Sequence, residues 1–275
     1  DSTFEGNTAQ IGSDGSSHVI DNCDMGGGAI AIGSGSHVSI SGSTFTGNVS
    51  GKDGGAVATR KFYGAYDTDS ADVGLTVSGS TFTNNTAGKS ISDTPYNYNT
   101  TITELYESGN GGALFNTFND TLVEGSSFTG NTAINGGAVA NFYDRGKTEN
   151  YGSITIKNST FTNNTAVVDK KAKEGSGMGG AIYSYASKRA NDGAQDKAQN
   201  AGGVMTITDS LFENNTADKG GAIYNTGTLH FAGTNTFKGN NATEGNDIYN
   251  VGSVTVESGV TGLNSGYTQE KGSLA

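Results

Sequence analysis

The chain has 275 residues and carries 16 Lys and Arg against 27 Asp and Glu, a formal net charge of −11. That acidic balance argues against nucleic acid as a partner, because such binding rests on a basic footprint. No apolar run approaches the roughly 20 residues of a membrane-spanning helix, so no membrane insertion is expected of this segment. A single cysteine, Cys23, excludes an intrachain disulfide and a cysteine-based zinc site.

Leu, Ile, Val and Phe together make fewer than one residue in five, a share that raises the question of disorder. The net charge is too small for the chain that long to be held open by self-repulsion. Glycine is abundant at 44 residues, yet the single proline, Pro95, rules out a collagen-like chain. So few apolar residues build a core only if they recur in register.

They do recur. Taken in chain order, a Phe-x-x-Asn motif appears at Phe4/Asn7, Phe45/Asn48, Phe82/Asn85, Phe128/Asn131, Phe161/Asn164, Phe212/Asn215 and Phe237/Asn240. Each copy is followed by one Gly-Gly-Ala-aliphatic motif, beginning at Gly27, Gly54, Gly111, Gly136, Gly179 and Gly220, with a worn copy at Gly245. The shortest spacings, Gly111 to Gly136 and Phe212 to Phe237, are 25 residues, a solenoid period. Between the motifs lie short alternating runs such as Leu75-Thr76-Val77, Ile154-Thr155-Ile156 and Val254-Thr255-Val256, the signature of strands with one buried face.

About three short strands per unit, separated by glycine or asparagine corners, predict an all-β chain coiled as a right-handed parallel β-helix of the pectin-lyase-like kind. Each strand then pairs with its copy one turn away, about 4.8 Å along the axis. The phenylalanines form one inward column. Ile30, Val57, Leu114, Val139, Ile182, Ile223 and Ile248 form a second, and the alternating runs a third. Glycine and asparagine reach left-handed backbone angles cheaply, which a sharp corner requires. The motif asparagines can also hydrogen-bond from turn to turn. Asn116, Asn141, Asn225 and Asn250 predict a second such ladder.

This strict alternation of Gly-Gly-Ala-aliphatic and Phe-x-x-Asn over seven copies, from Phe4 to about Asn250, resembles the polymorphic outer membrane proteins, best known from chlamydiae. The resemblance implies an autotransporter whose repeats form a secreted β-helical passenger joined to an outer-membrane barrel, many members acting as adhesins. The chain starts inside a repeat and shows no barrel-like strands. The expectation is therefore one solenoid over residues 1–275, a piece of a longer passenger. It also implies a place at the cell surface, anchored to the outer membrane or secreted, and a role in virulence.

Departures from the 25-residue period fall at only two points of the unit. The Phe-to-Gly link grows from 8 or 9 residues to 23, 29 and 18 after Phe4, Phe82 and Phe161. The Gly-to-Phe link grows from 17 or 18 to 28, 25 and 33 after Gly54, Gly136 and Gly179. Stacked turns line these insertions up as two rows of loops, where rigid scaffolds place function. They hold Tyr63, Tyr66, Tyr96, Tyr98, Tyr106, Tyr143, Tyr151 and Tyr185. Any one ring can simply pack its loop onto the rod. The set supplies contact area at low entropic cost and is taken as a binding surface for a host-cell protein or glycan. Phe115, Tyr183, Tyr224 and Tyr249 share a register just after the inward aliphatic and are expected outward, as a cross-strand aromatic ladder.

An enzyme is not expected, although parallel β-helices include polysaccharide lyases and glycosidases. Hydrolysis needs two carboxylates at a fixed separation, and strand positions here carry Ser, Thr, Gly and Asn. Asp67, Asp69 and Asp72 are the best calcium candidates, but an acidic loop in water is far commoner, so neither metal nor cofactor is expected. His18, His37 and His230 are scattered. A carbohydrate-active enzyme with its catalytic turn elsewhere, or a passive stalk, are the alternatives to an adhesin. The repeat also generates glycosylation sequons, as at Asn84-Asn85-Thr86 and Asn214-Asn215-Thr216, at tight corners expected to limit their use.

Overall fold

The structure, a computed structural model, describes residues 1–9, 26–33, 36–59, 74–88, 109–118, 120–143, 152–169, 175–186, 204–257, 259–261, 266–270 and 273–274. The described residues form a right-handed parallel β-helix without a helix among them. The turns up to Ala166 contribute strands to four parallel sheets, not to three as the repeat suggests; in the next two turns the second of these sheets shrinks to single bridges at Thr216 and Asn241. Sheet 1 collects the seven Phe-motif strands, such as Thr44–Thr46 and Thr160–Thr162, and Val260–Thr261. Sheet 2 is short, five two-residue strands such as Thr132–Ala133. Sheet 3 collects eight strands, six of which follow the double glycine, such as Val139–Tyr143 and Ile182–Ala186. Sheet 4 collects the eight alternating strands, such as Gly74–Ser78 and Val204–Thr208.

Parallel in-register pairing puts the same motif residue over its copy. Phe45 pairs with Phe82, Phe82 with Phe128, Phe128 with Phe161 and Phe161 with Phe212. Their rings stack face to face with centroids 4.7–4.9 Å apart, the spacing of the strands that carry them. These five rings are fully buried. The second column, Leu114–Val139–Ile182–Ile223–Ile248, is buried alongside. Ile156, Ile207 and Phe231 of sheet 4 close the same core. One position departs from the pattern: Thr121 points inward where its neighbours carry Leu75 and Ile154. Its hydroxyl donates to Asn116 Oδ1 at 2.8 Å, and Phe118, outside the repeat motif, is buried in the core nearby.

Polar residues are satisfied along the axis. Asn164 Oδ1 accepts from both the backbone N–H and the Nδ2 of Asn131, each at 3.0 Å. Asn164 Nδ2 donates to Asn215 Oδ1 at 2.9 Å and to the Phe128 carbonyl at 3.0 Å. The same pattern runs from Asn7 to Asn240. A buried amide is tolerable only when its groups are paired, and here each turn pairs the next. The second ladder forms in two pieces: Asn116 donates to Asn141 at 2.9 Å and Asn225 to Asn250 at 2.8 Å. Ser184 occupies the register position between them.

Two further columns went unseen in the sequence. Ser43, Ser80, Ser126, Ser159 and Ser210 lie two residues before their phenylalanines. Each Oγ from Ser43 to Ser210 accepts a backbone N–H from the preceding turn at 3.1–3.2 Å. Each also donates to the carbonyl two residues back at 2.7–3.0 Å. The signal was present as Ser-x-Phe-x-x-Asn. The other column precedes the double glycine: Asp53 Oδ1 accepts from Asn110 N–H and Nδ2 at 2.8 and 2.9 Å, and Asn110 Oδ1 accepts from Asn135 at 3.2 Å.

The two glycines of the repeat have different reasons. The first, from Gly27 to Gly245, has φ between 61 and 90° and makes a left-handed corner. The second does not. A Cβ on Gly28, Gly55, Gly112, Gly137, Gly180 or Gly221 would lie 2.0–2.2 Å from a backbone carbonyl oxygen of the next turn. Close approach of turns, not backbone angle, requires that glycine.

The asparagine ladder ends on an acid: Asn240 Nδ2 donates to Asp247 Oδ1 at 2.9 Å. Burial pushes the Asp247 carboxyl above the usual aspartate range, and the bond from Asn240 only partly opposes this. A folded-state pKa above the unfolded one favours folding while the acid is protonated. That contribution is lost as pH rises from the ordinary value of about 3.9 through the raised one. Asp247→Asn keeps an acceptor for Asn240 without the charge. It is expected to raise the thermal unfolding midpoint at about pH 7 and to give no gain near pH 3, as scans at the two pH values will show.

Candidate binding surface on the third sheet

The two rows of insertions border one sheet. Residues 10–25, 89–108 and 170–174 fall between a sheet 2 strand and the sheet 3 strand that follows. Residues 60–73, 144–151 and 187–203 fall between a sheet 3 strand and the sheet 4 strand that follows. Sheet 3 is therefore the face with an insertion row along each edge.

Its outer surface carries the expected aromatic ladder, pointing outward across strands, and its rings are largely buried against one another. Along each strand, side chains alternate inward and outward. Leu114, Val139, Ile182, Ile223 and Ile248 point in; Phe115, Tyr183, Tyr224 and Tyr249 point out. Six rings make a continuous zigzag: Phe115 to Phe142 at 5.9 Å, Phe142 to Tyr185 at 4.9 Å, Tyr185 to Tyr183 at 5.5 Å, Tyr183 to Tyr224 at 5.7 Å and Tyr224 to Tyr249 at 5.4 Å. The outward rings Phe115, Phe142, Tyr183, Tyr224 and Tyr249 retain only 3–9% of their exposure. They form a second apolar cluster, with Ala58 and Ala140 between the larger rings. Two of the five contacts are stacked and three are tilted by 37–43°, so the rings cover much of one another's surface.

The strip ends in a charged group. Lys219 Nζ lies 4.6 Å from the Tyr249 ring centroid, 3.3 Å from its hydroxyl and 3.2 Å from Glu244. The Tyr249 hydroxyl donates to Glu270. Burial pushes the Tyr224 hydroxyl up to about 12, reinforced by the charge of Glu270. Burial and the bond to Glu270 also hold Tyr249 above the ordinary tyrosine range. For Lys219, partial burial alone would lower the pKa. The bonds to Tyr249 and Glu244 outweigh it and keep the ammonium charged above the ordinary lysine range. Lys219 keeps its charge through neutral pH.

The tyrosines singled out in the sequence separate as follows. Tyr185 is not a loop residue: it lies in strand Ile182–Ala186, half-buried, as a member of the zigzag. Tyr143 closes strand Val139–Tyr143 opposite Ala186, so it too belongs to sheet 3. Both were drawn into the sheet because these two strands extend two residues beyond their three-residue neighbours. Tyr63, Tyr66, Tyr96, Tyr98, Tyr106 and Tyr151 lie outside the described residues, as do Asp67, Asp69, Asp72 and His18. Among the described residues no group of three His, Cys, Asp or Glu side chains is placed to hold a metal ion.

Compared with known families, the chain matches the model of the Chlamydia polymorphic membrane protein repeat at residues 42–60, 79–117, 158–185 and 209–226. Every match begins on a left-handed corner residue, Gly42, Gly79, Asn158 or Asp209, and runs through the phenylalanine and ladder asparagine to the double glycine and the sheet 3 strand. In these four stretches the chain carries a repeat similar to that of the polymorphic membrane proteins. Three of the four matches span strands of sheets 1, 2 and 3, the fourth strands of sheets 1 and 3, and two of them also span an insertion. The family is outer-membrane associated and surface exposed. Neither the curated proteins nor the solved structures give a match.

Proposed function

We propose that this polymorphic membrane protein solenoid is the adhesive part of an autotransporter passenger, displayed at the bacterial surface and binding a host-cell protein or glycan without turnover. The observation that carries the reading is the border of sheet 3: two insertion rows flank one stiff aromatic face. A rigid platform with tolerant loops at its edges is how scaffolds present variable contact residues. Carboxylates on neighbouring turns support binding over catalysis. Glu213 lies 2.7 Å from Lys238, and Glu124 is in register with Lys157. Pairing acid with base leaves no twin carboxyls for glycoside hydrolysis there.

The test removes the insertions and keeps the coil. Replacing Gly88–Asn110 by the two-residue link Ile134-Asn135 of the insertion-free turn restores an asparagine at the position of Asn110. Replacing residues 60–73 by Thr226-Gly227, the link of an insertion-free turn, removes the insertion at the other edge. Closure entropy changes slowly with loop length, so both forms are expected to fold. Attachment to host cells is expected to weaken by about tenfold or more in the doubly trimmed protein, a loss of about 1.4 kcal/mol. Undiminished attachment by the folded double variant would leave the solenoid as a stalk.

A further inference from the structure

The structure sorts the glycosylation sequons of this chain in a way the repeat motif does not. Asn48-Val49-Ser50 begins on a fully buried ladder residue, whose Nδ2 hydrogens are committed to the Phe4 carbonyl and Asn85 Oδ1. In Asn84-Asn85-Thr86, Asn163-Asn164-Thr165 and Asn214-Asn215-Thr216 the middle residue is the ladder asparagine, and the first is exposed at a corner. Asn158-Ser159-Thr160 repeats the arrangement one corner earlier, with Ser159 as the buried ladder residue.

Asn84, Asn158, Asn163 and Asn214 all have left-handed φ, between 48 and 57°. Elsewhere in the same two columns stands glycine, with Asp209 the one exception: Gly6, Gly47, Gly130 and Gly239 in one column, Gly42, Gly79, Gly125 and Gly233 beside Asp209 in the other. Backbone shape therefore does not demand asparagine at these corners. In two of them the amide has a defined aim. Asn84 Oδ1 fills the space of the missing Cβ of Gly130, and Asn214 Oδ1 that of Gly239, at 2.4 and 2.3 Å. With the oxygen turned along the stack, Nδ2 is turned away from it. Alternation about the buried middle residue brings the hydroxyl of Thr86, Thr160, Thr165 or Thr216 to the same outer side as its asparagine. None of the four amides or four hydroxyls is engaged in a hydrogen bond among the described residues.

We propose that Asn84, Asn158, Asn163 and Asn214 form a row of N-glycan acceptor sites on the two corners flanking sheet 1, away from the insertion-bordered face. The co-reactant is a nucleotide-activated hexose, used by a separate transferase that selects Asn-x-Ser/Thr. The asparagine Nδ2 attacks the anomeric carbon, a C–N bond forms, and the bond from that carbon to the phosphate oxygen breaks. The nucleoside diphosphate leaves with the electron pair, and the amide proton passes to a base of the transferase. Sugar placed there lines the corners of sheet 1 and leaves sheet 3 clear. The inference is independent of the adhesive reading.

The folded protein is to be incubated with a soluble bacterial N-glycosyltransferase and UDP-glucose, and hexose occupancy read peptide by peptide. Each of the four corner asparagines is expected to exceed Asn48 by about tenfold or more, because reaching Asn48 requires local unfolding. Synthetic peptides 43–52 and 80–89 are expected to accept hexose equally, which assigns the difference to the fold. The quadruple Asn→Gly variant substitutes the residue that other turns already use. It is expected to keep its unfolding midpoint and to lose the four corner hexoses. Empty corners in the folded protein with occupied peptides, or Asn48 occupied as fully as the corners, overturns the proposal.

Discussion

Phe161→Ala is expected to cost about 3–5 kcal/mol of folding stability, as truncation of a buried phenylalanine does. The ring is fully buried between Phe128 and Phe212, each at 4.9 Å, so the truncation opens a gap in the middle of the stack. In a solenoid each turn is stabilised mainly by its neighbours, so that gap weakens the interfaces on both sides at once. Thr162→Ala, one residue on and half-buried on the outer face, is expected to cost no more than about 0.5 kcal/mol. Urea unfolding of the two variants measures the difference. Equal losses would mean that the inward and outward registers of sheet 1 are exchanged.

Gly137→Ala is expected to be as damaging, at about 3 kcal/mol or more, through overpacking rather than a cavity. The added Cβ would lie 2.2 Å from the Gly180 oxygen and 2.6 Å from the Thr165 nitrogen. Both are backbone atoms held in place: Gly180 N–H donates to Gly220 O at 3.0 Å, and Thr165 N–H donates to Asn131 O at 2.9 Å. No rotamer change relieves the contact, so neighbouring turns must part and their hydrogen bonds stretch. Gly47→Ala isolates the other role of glycine. Its φ is +62° and nothing lies within 4 Å of an added Cβ, so only the left-handed penalty of about 1–2 kcal/mol applies. Gly47→Asn is expected to be nearly neutral, since Asn84, Asn163 and Asn214 hold that column elsewhere. The expected order of unfolding midpoints is Gly47→Asn, Gly47→Ala, Gly137→Ala, from highest to lowest. A Gly47→Ala loss equal to that of Gly137→Ala would show that backbone angle, not the space between turns, governs the repeat.

The sequence by itself determined the coil, the inward columns and the asparagine ladder from Asn7 to Asn240. The reason is geometric: parallel in-register pairing converts a constant spacing along the chain into a column in space, so Phe45 and Phe82 must stack once their strands pair. It also located both insertion rows, because a departure from the period marks where the chain leaves the coil. The serine column was equally available in Ser-x-Phe-x-x-Asn, but a small polar residue before a strand gives no burial signal. What only the tertiary structure decided depends on contacts between turns of unlike surroundings. Tyr183, Tyr224 and Tyr249 point outward by alternation, and whether an outward ring is bare or covered is set by its neighbours across the sheet. The second glycine of the motif looks like the first in sequence, and only the distance to the next turn separates space from backbone angle as its cause. Asn84 and Asn85 are likewise indistinguishable as letters; one faces solvent with a left-handed φ and the other is sealed into the ladder, because a corner turns consecutive side chains to opposite sides of the wall.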